Sequence, residues 1–208
     1  MVSEYLTLSK KNWQIWKERS FRIKLVSWFV VAILTLTSLT IFFRYIEGRT
    51  GLHLNDPVLN ALPAKDVSIP IFLLIWTNAL LILLTFIKNP GVLLLFLIGY
   101  TILTIARMVT ITLLPLEPPP GLIALKDPLS NLFYGARFVT KDLFFSGHTS
   151  TLLLIFYNLK NRKLKLFSIA ATCLVGFLLL LQHVHYTIDI IFAFPFVYVT
   201  CLLAKKIA

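Results

Sequence analysis

The sequence predicts an all-α fold, a polytopic membrane protein built as a bundle of six transmembrane helices. Two observations predict it. The 208 residues are 58% apolar and only 14% charged, whereas a soluble domain carries about 25% charged residues. The apolar residues also collect in six runs of 17 to 24 residues, and about 20 helical residues span the roughly 30 Å core of a bilayer. Disordered chains, collagen-like fibres and small disulfide scaffolds are excluded.

The six runs define the predicted spans in order along the chain. The fourth and fifth are the shortest, and the fourth contains the polar residues 146–149 near its start. The predicted spans are Leu25–Phe43, Ile69–Ile87, Gly91–Leu114, Leu143–Leu159, Leu166–Gln182 and Val184–Ala204.

The sequence divides into two regions. Residues 1–24 are charged and mixed, and we interpret them as a cytoplasmic amphipathic N-terminal segment with Trp13 and Trp16 at the headgroup level. Residues 25–208 form the membrane domain. The two cysteines, Cys173 and Cys201, fall inside apolar runs and are interpreted as packing residues.

The positions of the basic residues predict the orientation. Thirteen of the twenty lie on the side of the N-terminus, the 160–165 loop and the C-terminal tail, and six lie on the other side. Because basic loops stay in the cytoplasm, both termini are expected there, and the long loops 44–68 and 115–142 are expected outside. The net charge of +11 then reflects topology, with attraction to the bilayer, and no nucleic-acid partner is expected.

Ionisable residues in three predicted spans are candidates for chemistry, because such groups are costly in a bilayer. His185 and Asp189 are four residues apart and share a helix face, so the carboxylate can orient the imidazole as a nucleophile or base. A purely structural hydrogen bond explains this pair equally well. His183 points away from it, at about 100° per residue, and is interpreted as interfacial.

His148 and Arg107 are expected at the same depth. Ser146 is a candidate N-cap, which places His148 in the first helical turn, where amide groups favour an anion. Arg107 lies about 10 Å below the outer end of the third span, where its partner is either Asp189 or a bound phosphate. The topology brings these residues together near the exoplasmic face, an arrangement suited to phosphoryl transfer at an active site there.

These residues also resemble a known family. Ser-Gly-His-Thr at 146–149, His-Tyr-Thr-Ile-Asp at 185–189 and Arg-x-x-Thr at 107–110 are similar to signatures of the sphingomyelin synthase-related family, integral membrane lipid phosphotransferases of the type 2 phosphatidic acid phosphatase superfamily. Asp142 stands where that family has the Asp of a Cys-Gly-Asp triplet, although Thr140 and Lys141 replace the Cys and Gly. The resemblance covers residues 100–204, the expected catalytic half.

The resemblance implies a role for each matching residue. His185 attacks the phosphorus of a phospholipid while Asp189 orients it, and His148 protonates the leaving diacylglycerol oxygen. The headgroup phosphate then passes from a phosphohistidine to a lipid alcohol such as ceramide. Phosphate binding falls to Arg107, Ser146 and Gly147, and support to Asp142, Tyr186 and Thr110. No metal and no cofactor are implied.

Departures from the superfamily's phosphatases favour the synthase-like branch. Those phosphatases carry Lys-x6-Arg-Pro and Ser-Arg-x3-Gly-x-His, but no Arg-Pro pair occurs here, Leu179 stands at the second Arg and His183 at its Gly. The phosphate-binding cations that a highly charged monoester needs are therefore missing.

Two alternatives remain beside the transferase. With water as the acceptor, the same site is a lipid phosphatase or a phospholipase C-type hydrolase. A non-enzymatic binding or transport protein is the second, although transporters usually place polar groups at mid-bilayer. The expected partners are a phospholipid donor, a lipid alcohol acceptor and the bilayer, with a homo-oligomer left open. The active site would face the periplasm, the cell exterior or an organelle lumen.

Overall fold

The computed structural model describes residues 14–126 and 139–208, and the regular elements within these ranges are helices, with one isolated parallel β-bridge between Leu52 and Leu116. Five helices of the described residues are long and apolar enough to cross a membrane, so the protein is an integral, multi-pass membrane protein. In chain order the helices are α1 Arg19–Glu47, α2 Pro57–Asn60, α3 Ser68–Lys88, α4 Pro90–Leu113, α5 Gly147–Asn158, α6 Arg162–Leu181 and α7 Thr187–Ile207.

The fourth predicted span does not form a full-length helix. In place of Leu143–Leu159, helix α5 has 12 residues, about 18 Å of rise, so five full-length helices stand where six were predicted. The Ser146 hydroxyl accepts a hydrogen bond from the Thr149 amide and begins the helix late. The preceding residues 139–146, here called the entry segment, are not helical.

The short α5 is the central helix of the bundle. It packs against α3, α4, α6 and α7, whereas α1 packs against α4 at the edge. Its side chains Leu152 to Ile155 are all buried. The long helices instead expose many apolar side chains, Ile69 and Ile41 among them, as expected of surfaces that contact lipid.

Polar residues and prolines set where the helices begin. Pro57 and Pro90 each occupy the first turn of a helix, where a missing amide hydrogen costs nothing. Asn161 begins α6 because its side chain accepts from the amides of Lys163 and Leu164 at 2.9 and 3.2 Å.

The loop between α1 and α3 packs against the loop between α4 and α5. The amide of Leu52 donates to the carbonyl of Pro115 at 2.9 Å, and the amide of Glu117 donates to the carbonyl of Leu52 at 3.0 Å. Gly51 permits this approach, since a Cβ there would lie 2.7 Å from the carbonyl carbon of Leu116.

The predicted N-terminal segment overlaps the first helix. Helix α1 begins at Arg19, inside residues 1–24, and the ring of Trp16 packs edge-on against Phe21 at 5.7 Å. Trp13 and the basic residues before it lie outside the described residues, as does Arg137.

Candidate active site

A histidine and a carboxylate form the buried centre of the site. His185 lies in the turn between α6 and α7, and its Nδ1 is 3.1 Å from Oδ2 of Asp189 in the first turn of α7. The His185 side chain is 4% exposed and that of Asp189 is 0%. The predicted pair therefore forms, although His185 precedes the helix and does not share a helix face with Asp189 as predicted. Nε2 of His185 has no hydrogen-bond partner among the described residues.

Asp189 also holds the entry segment in place. Its Oδ2 accepts from the amide of Tyr186 at 3.1 Å and its Oδ1 from the amide of Phe144 at 3.2 Å. Its backbone carbonyl accepts from the amide of Ser146 at 3.0 Å. The carboxylate that orients His185 thus also fixes the start of α5 relative to α7.

Arg107 pairs with Asp142, which corrects the prediction that its protein partner would be Asp189. Its Nη2 lies 2.6 Å from Oδ1 of Asp142, and its Nε donates to the carbonyl of Phe145 at 3.1 Å. Asp189 instead accepts from two amides and from His185, and the entry segment supplies the counterion of Arg107. Nη1 of Arg107 donates no hydrogen bond within the described residues.

Asp142 lies close enough to Arg107 and to both site histidines to interact with them electrostatically. Burial raises the pKa of its carboxyl, but the charge and hydrogen bond of Arg107 outweigh burial and hold the pKa below its ordinary value. His185 and His148 add smaller effects in the same direction. The structure therefore brings Arg107, His148 and His185 around one carboxylate.

His148 occupies the first turn of α5, as predicted from the Ser146 cap. Ser146 is fully buried and its hydroxyl is used in the cap. The ring of His148 packs edge-on against the ring of Phe72 in α3, with the ring centroids 6.2 Å apart. A Cβ at Gly147 would lie 2.6 Å from Cζ of Arg107, so any other residue here would displace this guanidinium from its place against α5.

Thr110 and Tyr186 hold the backbone around these groups. The hydroxyl of Thr110 donates to the carbonyl of Phe144 at 3.0 Å. The hydroxyl of Tyr186 donates to the carbonyl of Glu117 at 3.1 Å and accepts from the amide of Leu54 at 3.4 Å. Both side chains therefore position loops.

Two further carboxylates, which sequence reasoning did not place in the site, anchor the entry segment from outside. Glu47, at the end of α1, accepts from the amides of Thr140 and Lys141 at 2.7 and 2.8 Å. Glu117 accepts from Lys141 at 3.0 Å and from the amide of Gly51 at 2.7 Å. Lys141 therefore pairs with Glu117, whereas its neighbour Asp142 pairs with Arg107.

Asp56 is another residue that sequence reasoning missed. It caps α2 through the amides of Val58 and Leu59, and it accepts from the amide and hydroxyl of Thr187 at 2.6 and 3.0 Å. Burial raises the pKa of Asp56, but these hydrogen bonds lower it below its ordinary value. The Asp-Pro pair is a local capping signal, whereas the contact with Thr187 has no signal in the sequence.

His183 is buried, not interfacial as predicted. The residue is 9% exposed. Its Nδ1 lies 2.7 Å from the carbonyl oxygen of Pro120, and its Nε2 lies 3.0 Å from the carbonyl oxygen of Leu62. Gln182 beside it donates to Ser68 at 2.9 Å and accepts from the amide of Val67 at 3.1 Å. This pair ties the α1–α3 loop and the α4–α5 loop to the α6–α7 turn.

The arrangement has the parts that phosphoryl transfer needs. It contains an imidazole oriented by a carboxylate, a second imidazole at a helix N-terminus, and a guanidinium beside both. These groups can attack phosphorus, exchange a proton and neutralise phosphate oxygens. Across residues 14–126 and 139–208, no group of three or more His, Cys, Asp or Glu side chains is placed to hold a metal ion.

One comparison with known protein families covers part of this site. No curated protein and no solved structure matches the chain. Residues 141–206 match the family described as PAP2 superfamily C-terminal. The match covers about a third of the chain and includes His148, His185 and Asp189. This part of the protein is therefore similar to the C-terminal domain of PAP2 superfamily enzymes.

Proposed function

We propose that this protein is a membrane lipid phosphotransferase that moves a phosphate-bearing headgroup from a phospholipid to a lipid alcohol such as ceramide, releasing diacylglycerol. The His185–Asp189 pair carries the proposal. With Nδ1 of His185 bound to the carboxylate, the ring presents Nε2 as a nucleophile of fixed orientation. We place the site on the exoplasmic side, because the basic residues favour cytoplasmic termini.

The first half of the reaction forms a phosphohistidine. Nε2 of His185 attacks the phosphorus of the donor, the bond from phosphorus to the diacylglycerol oxygen breaks, and His148 gives that oxygen its proton. Asp189 stabilises the positive charge that develops on His185. Each positioned acid or base of this kind contributes about 10²–10⁴-fold to the rate.

The second half returns the site to its starting state. The hydroxyl of the acceptor gives its proton to His148 and attacks the phosphorus, and the bond from phosphorus to Nε2 of His185 breaks. The products are diacylglycerol and a lipid alcohol that now carries the headgroup. No other co-reactant is consumed.

The charge of the site supports a phosphodiester substrate. Arg107 lies at the start of α5 with its charge balanced by Asp142, and Lys141 is held by Glu117. A guanidinium that is already paired with a carboxylate suits the single negative charge of a phosphodiester better than the double charge of a terminal phosphate. The similarity to PAP2 superfamily enzymes is compatible with both phosphatases and phosphotransferases, so the acceptor must be identified by experiment.

The test is product analysis in mixed micelles. Purified wild type, His185→Ala and the matched control His53→Ala are incubated with defined phospholipids and ceramide, and products are identified by mass spectrometry. His53 is exposed, in the first outer loop. We expect diacylglycerol and a headgroup-bearing sphingolipid in equal amounts from wild type and control, and neither from His185→Ala.

Other outcomes separate the alternatives. Diacylglycerol with a free phosphorylated headgroup would identify a phospholipase C-type hydrolase, and loss of a terminal phosphate alone would identify a phosphatase. Turnover unchanged in His185→Ala would refute the assigned nucleophile. A folded protein that turns over no lipid would favour a non-enzymatic role.

A further inference from the structure

A cavity lies at the end of the bundle opposite the candidate active site. It has a volume of about 190 Å³ between the ends of α4, α5 and α7. Its floor includes the buried side chains Val92 and Leu154, and the exposed Lys160 and Lys205 stand at its mouth. An adjoining cavity of about 350 Å³ shares Val92 and Lys160.

The ammonium groups of two lysines at this cavity have no counterion among residues 14–126 and 139–208. Neither Lys160 Nζ nor Lys205 Nζ forms an ion pair or a hydrogen bond within these ranges. Two ammonium groups at one apolar cavity repel each other, and this repulsion is stronger near a low-dielectric wall than in water. A bound anion with an apolar body would relieve the repulsion and fill the cavity.

Tyrosines mark the level of the cavity in the bilayer. Tyr157 lines it, and Tyr198 lies beside Tyr157 with ring centroids 6.4 Å apart. Both are partly exposed on the outer surface of the bundle, and such tyrosines sit at the boundary of the hydrocarbon core. An occupant can therefore place a headgroup between the lysines while its chain stays in the membrane.

We infer that this cavity, here called the lysine cavity, binds an anionic phospholipid from the surrounding leaflet. The phosphate lies between Lys160 and Lys205, and the acyl chain packs against Val92 and Leu154. Leu95 in its wall is 12 residues from Arg107 along α4, about 18 Å, so one lipid headgroup cannot occupy both sites. The inference does not depend on the reaction at the active site.

The test compares two matched double variants. Purified full-length protein in nonionic detergent is titrated with short-chain phosphatidylglycerol or phosphatidylcholine, and bound lipid is counted by native mass spectrometry. The test variant is Lys160→Gln with Lys205→Gln. The control is Lys163→Gln with Lys206→Gln, which removes the same charge from the same end outside the cavity. Ala204→Phe keeps both lysines but fills the space.

We expect wild type and the control to retain one phosphatidylglycerol in preference to phosphatidylcholine. The test variant should bind it about 30-fold more weakly, as expected from two lysines near an anionic headgroup. Ala204→Phe should also lose it. An equal loss in the control pair, or retention by Ala204→Phe, would show general surface attraction and overturn the inference. Glycerol phosphate is titrated in the same way as a soluble anion. If it bound as tightly as phosphatidylglycerol, the inference of a lipid site would be overturned.

Discussion

Asp142 is a negative charge held next to Arg107, and its chemistry makes the stability of the fold depend on pH. Burial raises the pKa of its carboxyl, but Arg107 brings the pKa below the ordinary value of 3.8. A carboxyl whose pKa is lower in the folded state adds stability above its unfolded-state pKa. That contribution is lost as the pH falls through the folded-state value.

We therefore expect the melting temperature of wild type to fall as the pH is lowered from about 5 to 3. Asp142→Asn should melt lower than wild type at pH 7, and its melting temperature should fall less over the same interval. Other carboxyls with lowered pKa values, such as Asp56 and Asp66, act equally in both proteins. If the melting temperatures of the two proteins fell equally with pH, the assignment of a lowered pKa to Asp142 would be contradicted.

At the scale of the helix, the approach of α5 to α4 depends on Gly147. A Cβ at this position would overlap the guanidinium of Arg107. The helix and the arginine could then not both keep their places, and the overlapped group belongs to the proposed phosphate site.

We expect Gly147→Ala to lower kcat by about 100-fold, the loss typical of removing one preorganised donor from a reacting oxygen. The measurement is turnover with the donor and acceptor identified for wild type. Gly91→Ala is the matched control, because a Cβ there meets nothing within 4 Å. Equal activity of Gly147→Ala and wild type would mean that Arg107 does not act where the structure holds it.

Helix-level features divide into those visible in the sequence and those set by distant contacts. Apolar runs predicted the five long helices, and Ser146 predicted the start of α5. The sequence did not reveal that α5 is short, because residues 139–146 are held by carboxylates far away in the chain, Glu47 and Asp189. The partner of Arg107 was missed for the same reason. The four-residue spacing of His185 and Asp189 is local and was predicted.

At the scale of the whole molecule, the Gln182–His183 pair joins the α1–α3 loop and the α4–α5 loop to the membrane helices. His183 reaches the carbonyls of Pro120 and Leu62 from a position in the left-handed region, with φ 56°. Both contacts are hydrogen bonds when the ring is protonated, and one is when it is neutral. Removal of the ring leaves both carbonyls without this partner.

We expect His183→Ala to lower the free energy of unfolding by about 1–3 kcal/mol, the cost of leaving buried polar groups unpaired. Amide hydrogen exchange should rise in residues 62–67 and 120–124, and the transmembrane helices should keep their protection. His53→Ala, the exposed control, should leave both loops protected. Exchange that rises equally everywhere would indicate a global effect in place of a loop tether.

The half-length of α5 has a consequence for the lipid environment. Arg107 lies six residues before the end of α4, about 9 Å along its axis, and α5 begins at that level. The depth of the reacting groups is thus fixed by the protein, whereas the height of the phosphate plane is fixed by the thickness of the host bilayer. For the proposed reaction, acyl-chain length in the surrounding membrane is therefore a variable in its own right, alongside the identity of the headgroup.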